Sequence, residues 1–409
     1  MASIEHCMVS FALCTPEGVP LGSTAQVRMR RAPGWSDTRP LVALARRAWA
    51  LELTVLRLID AVKNEGVWHL RYGAEADSAS AVRAVALAPA DPGDFVDEQL
   101  RQPWARPGGP ARQLEWAIEA LATAGVPLTG EPEQVRSWNL SSLWRLPHAR
   151  GAAWLKAVPS FFAHEGAVLE GLRGFDVPRL LDRTDGICLL DEIPGEDLYG
   201  AGGAVAMRMI DLLVGIQRAT AADEAFAAVR GLLPDWRLPA LAAGAAHTLE
   251  SSAEDLTAAE RRAIERLIDG LDAGAGRLED CGLPDGLVHG DFHPGNVRGT
   301  PARMTLLDWG DSGMGHPLLD VAAFTERMPE ADAEPVIDHW LAAWQDAVPG
   351  SDPARALMLI GPVAALRQAV IYQGFLDRIE PDEHVYHARD PSEWLRRTAM
   401  AVEQASGSH

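Results

Sequence analysis

The sequence predicts an α+β chain in two lobes, a small antiparallel β lobe and a larger helical lobe, preceded by an extra N-terminal α+β domain. Three observations carry that expectation. Short apolar segments of strand length crowd the first half, an extended segment ends in the Pro194-Gly195 turn, and nearly everything beyond Leu198 has the 3.6-residue period of a helix. In the first domain "MVSFALC" and "AQVRMRR" read as strands, Leu41 to Lys63 as one long helix, and "VWHLRY" as a further strand. The Pro/Gly-rich "RQPWARPGGP" marks a connector, and the following "ARQLEWAIEALATAGV" is a helix with Leu114, Ile118 and Leu121 on one face. From Val135, "VRSWNLSSLWRLP" and "GAAWLKAVP" read as antiparallel strands, "FFAHEGAVLEGL" as a helix and "GICLLDEIPGEDL" as a hinge-like strand. The helical lobe includes a capping box from Thr257 to Glu260. The expected boundaries are 1–130, 131–195 and 196–409.

At 409 residues the chain is long enough for two or three domains, and 47% hydrophobic with 23% charged residues is ordinary globular composition. A net charge of −20 argues against nucleic acid or an anionic membrane as the partner. It fits a cationic small substrate, or simply a solubilising surface. Cys7, Cys14, Cys188 and Cys281 show neither disulfide nor metal spacing, which implies a reducing compartment. The start lacks a signal-peptide layout, and the apolar stretch from Leu41 is interrupted by Arg46, Arg47, Glu52 and Arg57, so a cytoplasmic protein is expected.

The chemistry concentrates in "LVHGDFHPGN", residues 287–296. A metal-hydrolase reading would use His289, Asp291 and His293 as alternating ligands, but Pro294-Gly295 turns the chain at once and no second such cluster follows. The rival reading is the spacing His-x-Asp-x-x-x-x-Asn, with His289, Asp291 and Asn296 in the pattern of a phosphoryl-transfer catalytic loop. Twelve positions on, "MTLLDWGDSG" ends an apolar strand in Asp308-Trp309-Gly310, where a magnesium-binding aspartate is expected. Upstream, Lys156 alternates with apolar neighbours on a strand. Glu165 heads a helical stripe continued by Val168, Leu169 and Leu172. A carboxylate on a buried face needs a partner, and Lys156 is the expected one. Each element alone is equally an ion pair or a polar turn; together, in this order around a hinge, they point to a kinase.

These residues resemble the aminoglycoside phosphotransferase family, a branch of the protein-kinase-like fold that includes choline and small-sugar kinases. The resemblance covers roughly residues 135–400 and is most specific in "LVHGDFHPGN" and "LLDWGDSGMGHPLLDVAAF". It implies that Asp291 is the catalytic base, that Asn296 and Asp308 hold Mg2+, and that Lys156 and Glu165 serve the phosphates of ATP or GTP. "LLDEIPGEDL" resembles the family's hinge, with the backbone around Asp191 and Ile193 contacting the base. His289 and Asp320 would brace the catalytic loop, and Asp311 either supports the magnesium or caps a turn. The loop "SWNLSS" departs from the family in having no glycine, so phosphate contacts there would fall to Ser141, Ser142 and backbone N–H groups. The N-terminal 130 residues are a second departure, serving as a cap or in homodimerisation.

The implied reaction is transfer of a γ-phosphoryl group to a hydroxyl of a small molecule. An antibiotic acceptor, aminoglycoside or nucleoside, is the first expectation. A metabolic kinase of an amino sugar, sugar or choline-like compound is the alternative, and an idle nucleotide-binding regulator a third. The segment 364–395 should line the acceptor: it carries Arg367, Gln368, Tyr372, Asp377, His384, Tyr386 and His387. Arg367 and Tyr372 are its strongest candidates, while His293 either faces the acceptor or fills the turn.

Overall fold

The structure is a computed structural model that describes residues 7–29, 36–76, 85–221, 223, 224 and 226–407. The last two residues of the expected strand "AQVRMRR" lie outside the described residues. The chain forms two compact units. One comprises 1–163, 180–192 and 376–388; the other comprises 164–179, 193–375 and 389–409.

The first unit begins with a five-stranded mixed sheet ordered β2 (Pro20–Ser23), β1 (Cys7–Cys14), β5 (Val67–Ala76), β4 (Leu53–Asn64), with β3 (Val27–Met29) also paired to β1. The single helix expected from Leu41 to Lys63 is instead helix α1 (Arg39–Trp49) followed by the strand β4. The helix stops at Ala50, which adopts a left-handed conformation at φ 53°. Beyond it Thr54, Val55 and Ile59 favour a strand, and β4 pairs with β5 along its length around the turn Glu65-Gly66. Both turn residues have positive φ, 50° and 84°, which is the geometry of a two-residue type I′ hairpin. Phe11, Leu13, Leu41, Leu44, Val55, Leu58 and Tyr72 fill the core, joined by Tyr386 from the segment 376–388.

A second, antiparallel sheet in the same unit is ordered β6 (Glu133–Trp138), β7 (Ser141–His148), β8 (Gly151–Ala157), β10 (Ile187–Asp191), β9 (Leu180–Thr184). Helix α2 (Gly109–Thr123) packs on it through Ala117 and Leu121, against Trp144, Leu146, Ala153, Leu155 and Leu189. The buried face is therefore Gln113, Ala117 and Leu121, not the expected Leu114, Ile118 and Leu121; Ile118 is 39% exposed. The rotation is fixed at the helix start, where a Cβ on Gly109 would lie 1.9 Å from the Pro103 carbonyl oxygen. The segment read as a connector is itself core, since Trp104 is 1% exposed and donates its indole N–H to the Trp138 carbonyl at 2.9 Å.

The two sheets are joined by side-chain bonds to backbone. The Gln134 amide accepts from Val55 N at 2.9 Å and donates to Val55 O at 2.7 Å, while the Ser137 hydroxyl donates to Leu56 O at 2.7 Å. A bulge in β4 at Val55/Arg57 frees those backbone groups. The N-terminal segment thus shares one unit with the β6–β10 sheet.

The second unit is mostly helical: α3 (Glu165–Gly171), α4 (Gly203–Ala221), α5 (Ala227–Arg230), α6 (Leu238–Ser251), α7 (Ala258–Asp269), α8 (Leu271–Glu279), α9 (Val321–Glu326), α10 (Glu330–Ala347), α11 (Pro353–Leu376) and α12 (Asp390–Gly407). The capping box at Thr257 and Glu260 is present. Short antiparallel pairs carry the polar loops: β12 (Gly286–Val288) with β15 (Gly313–Gly315), and β13 (Val297–Thr300) with β14 (Arg303–Leu306), flanked by β11 (Glu196–Asp197). Among the described residues α11 is the one helix long and apolar enough to cross a membrane, but 61% of its apolar window is buried inside the protein. Leu366 and Ala369 of α11 pack with Ala245, Leu249, Ile264 and Leu395 from α6, α7 and α12. It is the core helix of the unit.

Candidate active site

β12 delivers the chain into the loop that begins at His289. Gly290 sits at φ 93°, and a Cβ there would lie 2.0 Å from the Asp311 carbonyl oxygen, so only glycine fits. The loop is held from behind by Asp320, fully buried, whose carboxylate accepts from His289 N at 2.9 Å and from Gly290 N at 2.7 Å. His289 is itself buried. Its Nε2 bonds the Leu307 carbonyl at 2.8 Å and its Nδ1 accepts from Asp291 N at 3.4 Å. Both ring nitrogens are thus engaged, the imidazole is neutral, and burial pulls its pKa down. A histidine so engaged cannot also ligate a metal, which removes the His289–Asp291–His293 metal reading. These bonds tie His289 and Asp320 to the backbone of the loop.

Phe292, next in the loop, turns inward. Phe292 is 1% exposed, stacks on Phe324 at 4.6 Å and meets Trp340 edge-on at 5.6 Å. Burying such a ring stabilises the loop by about 1.5–3 kcal/mol. Asp291 is then presented with each carboxylate oxygen in a different setting. Oδ2 accepts from Asn296 Nδ2 at 3.1 Å and lies 3.4 Å from His293 Nε2; Oδ1 lies 3.5 Å from Arg327 Nη1. Burial pushes the Asp291 carboxyl up, but the His293 hydrogen bond and the charges of His293 and Arg327 outweigh it, and its pKa falls below the ordinary aspartate value. Asp291 is therefore ionised at neutral pH, as a proton acceptor must be.

Asn296 closes the loop. Its amide nitrogen donates to Asp291 O at 2.8 Å as well as to Oδ2, leaving Oδ1 as the acceptor end of the amide. The β13–β14 hairpin follows and returns the chain to Asp308, with Leu307 N donating to Asn296 O at 2.7 Å. The twelve-residue spacing thus does close through a hairpin, as expected. Asp308 adopts φ 62° and ψ 68°, a left-handed conformation that costs a non-glycine residue about 1–3 kcal/mol. It is held by the next residue: Trp309 is fully buried and its N–H donates to Glu165 Oε1 at 3.2 Å. Glu165 lies at the head of α3 with 2% exposure, on the buried face expected for it. An amide oxygen and a carboxylate on opposite ends of one hairpin fit a magnesium ion, which takes few protein oxygens when phosphates complete its shell.

The sequence model of the phosphotransferase enzyme family, abbreviated APH, matches residues 134–357. The chain belongs to that family. Among solved structures this phosphotransferase is similar to a presumed aminoglycoside phosphotransferase from Ralstonia eutropha, at 16% identity and TM-score 0.51, covering 71% of this chain and 98% of that one. A macrolide 2'-phosphotransferase from Brachybacterium faecium matches at 19% identity and TM-score 0.47, covering 68% and 97%. A choline kinase from Streptococcus pneumoniae matches at 17% identity and TM-score 0.48, covering 72% and 99%. A comparison with curated proteins found no match. The fold is the expected α+β, protein-kinase-like one.

Several expected site residues of the phosphotransferase lie elsewhere than the sequence suggests. Arg367, expected to face the acceptor, is fully buried: it donates to Gly290 O at 3.0 Å and Asp311 O at 3.1 Å, and its guanidinium lies 4.6 Å from the Trp236 ring centroid. Gln368 adds a bond to Gly290 O at 2.9 Å. Both brace the catalytic loop from α11, whose packing turns them inward. Tyr372, one turn further on, is half-buried against Phe375, and burial raises its pKa. Ser141 and Ser142 are 7% and 1% exposed, and the Ser141 hydroxyl accepts from the Trp138 indole at 2.9 Å, so neither hydroxyl is presented outward. Tyr386 and His387, expected near the acceptor, pack beside Trp138 in the first unit with ring centroids 5.6 Å from it. Lys156 lies on β8 opposite Leu143 and Cys188, and Asp191 ends β10 opposite Ala153. The Ile193 carbonyl accepts from Arg298 Nε at 3.0 Å, so that group is already engaged. Sequence reasoning missed Arg327 altogether, because nothing in "FTERMPEA" marks it; only the fold of α9 carries it to Asp291.

Proposed function

We propose that this phosphotransferase moves the γ-phosphoryl group of ATP or GTP to a hydroxyl of a small molecule. The observation that supports it most is the Asp291 carboxylate, ionised and rigidly held, beside an asparagine and an aspartate able to bind a divalent cation. Asp291 would accept the hydrogen bond of the acceptor hydroxyl and take its proton as the oxygen attacks. Asn296 Oδ1 and Asp308 would hold magnesium, which neutralises charge on the phosphates when bound. Asp320, His289, Arg367 and Gln368 keep the loop from relaxing. Lys156, Asp191 and Ile193 enter as nucleotide contacts on sequence grounds.

The acceptor expected first, an antibiotic, is retained here as a proposal with one restriction. Arg327 stands beside the Asp291 oxygen at 3.5 Å, and its charge disfavours a cation held directly against it. A polycationic aminoglycoside would meet that repulsion, whereas a nucleoside antibiotic or a neutral or acidic metabolite would not. Release of ADP or GDP with magnesium should rise on addition of a true acceptor from a panel of antibiotics, sugars and sugar acids. Nucleotide hydrolysis indifferent to every acceptor would overturn the proposal in favour of an idle regulator.

A further inference from the structure

Arg327 is the feature of this site that no motif accounts for. It caps α9 at its C-terminal end, with its N–H donating to Phe324 O at 3.3 Å. The residue before the first turn of the same short helix is Asp320, which holds His289 N and Gly290 N. One six-residue helix therefore fixes the loop backbone at one end and sets a guanidinium against the loop's carboxylate at the other. The position of Arg327 is dictated by the fold rather than by a flexible surface loop.

The two oxygens of Asp291 are not equivalent. Oδ2 already accepts the Asn296 amide at 3.1 Å and faces His293 at 3.4 Å. Oδ1 accepts no such hydrogen bond among the described residues, which makes it the oxygen to receive an incoming hydroxyl, and it is the one that faces Arg327 at 3.5 Å. The acceptor hydroxyl must therefore bind next to this guanidinium. Arg327 is only loosely engaged: a guanidinium has five N–H donors, and among the described residues its one ionic partner is Asp291, at a distance longer than a hydrogen bond. The neighbouring Glu326 does not neutralise it, because Glu326 pairs with Arg397 at 2.6 Å, and Arg397 in turn lies over Trp394. About a third of the Arg327 side chain is exposed, 30%, as is the same share of Asp291. A planar, half-exposed fork of donors beside the reacting oxygen is suited to an oxyanion.

We propose that Arg327 is a specificity residue that binds an anionic group, carboxylate or phosphate, carried by the acceptor close to the hydroxyl that is phosphorylated. This rests on the phosphotransferase reading of Asp291 and narrows it to hydroxy acids or phosphate esters. The chain's overall charge of −20 gives such an acceptor no general attraction, so one well-placed cation would determine the preference.

The test uses matched acceptors and the full chain: glycerate against glycerol, glucuronate against glucose, and glycerol 3-phosphate against glycerol, each with ATP and magnesium. The expected result is a kcat/KM at least about tenfold higher for the charged member of a pair, one decade being the effect of a modest charge-assisted contact. Carboxylate or phosphate preference separates the two sources. In Arg327→Gln the preference should vanish through a raised KM, and Arg327→Lys should restore part of it. Equal or better use of the neutral members by the unaltered chain overturns the inference. So does a variant that loses kcat equally for both members, since Arg327 would then only position Asp291. Transfer to no acceptor at all, by a chain shown to bind ATP, would instead remove the phosphotransferase reading and this inference with it.

Discussion

Replacing Arg367 with methionine separates two roles that the sequence alone cannot distinguish, acceptor binding and bracing of the catalytic loop. The structure gives the perturbation a size. Gly290 O keeps the Gln368 bond at 2.9 Å, but the 3.1 Å bond to Asp311 O is lost, and a hydrogen bond of this kind contributes about 0.5–1.5 kcal/mol. Asp320, fully buried, loses the Arg367 charge that acts to hold its carboxyl down. Breaking a buried ion pair by removing one partner costs about 3–5 kcal/mol, an upper bound for Arg367 and Asp320, which are not in direct salt-bridge contact. Burial already raises the Asp320 carboxyl, so the variant can escape part of that cost by protonating it. The expected net loss is about 3 kcal/mol, which at about 2–4 °C per kcal/mol for a unit of this size lowers the thermal midpoint by about 6–12 °C. Thermal unfolding followed by circular dichroism measures it, alongside steady-state kinetics at a temperature where the variant stays folded. We expect a reduced kcat with an acceptor KM close to normal. An unchanged midpoint with a raised acceptor KM would refute the bracing role and restore the sequence expectation.

Two further outcomes follow from the site and its supports. Asp308→Ala should remove magnesium-dependent transfer while leaving the fold intact, and full activity at ordinary magnesium would contradict the metal role given to Asp308. His316, 2% exposed, caps the turn ahead of Asp320 by accepting from Leu318 N at 3.3 Å, and burial pulls its imidazole down to about 4. With the folded pKa below the unfolded value, the unfolded chain takes up this proton first. Stability is then full above about pH 6.5 and declines toward pH 4, by about 3 kcal/mol at about 1.36 kcal/mol per pKa unit. His316→Asn keeps an acceptor for the turn but cannot titrate there, so urea denaturation at pH 7 and pH 5 should show a smaller difference than the unaltered chain. Equal differences would show that His316 does not carry the pH dependence.

What the sequence revealed depended on how local the signal was. The 289–296 loop, the Asn296–Asp308 hairpin and the Glu165 stripe rest on spacings within short stretches of chain, and the structure shows the geometry of each. The helix boundary at Ala50 was hidden because "ALELTVLRLI" satisfies both a helical and a strand pattern, and the Glu65-Gly66 hairpin that decides the matter carries a weak turn signal. The helix face of α2 was misjudged because a close approach of Gly109 to Pro103 sets its rotation, and that is a tertiary contact. Arg367 and Tyr386 look like ligand residues in a polar, aromatic stretch; their burial depends on partners, Gly290 and the first-unit core, that lie far away in sequence. Arg327 had no signal of any kind. Residues that brace or tune a site over long sequence distances are those that composition and spacing miss.

The central claim is that Asp291 is the proton acceptor of a phosphoryl transfer. Its most direct test is a single-turnover measurement with Asp291→Asn, using an acceptor established for the unaltered chain. The account predicts that the variant binds magnesium-ATP with near-normal affinity and transfers phosphate slower by about 10²–10⁴-fold. Transfer at a near-normal rate by the purified variant would contradict it.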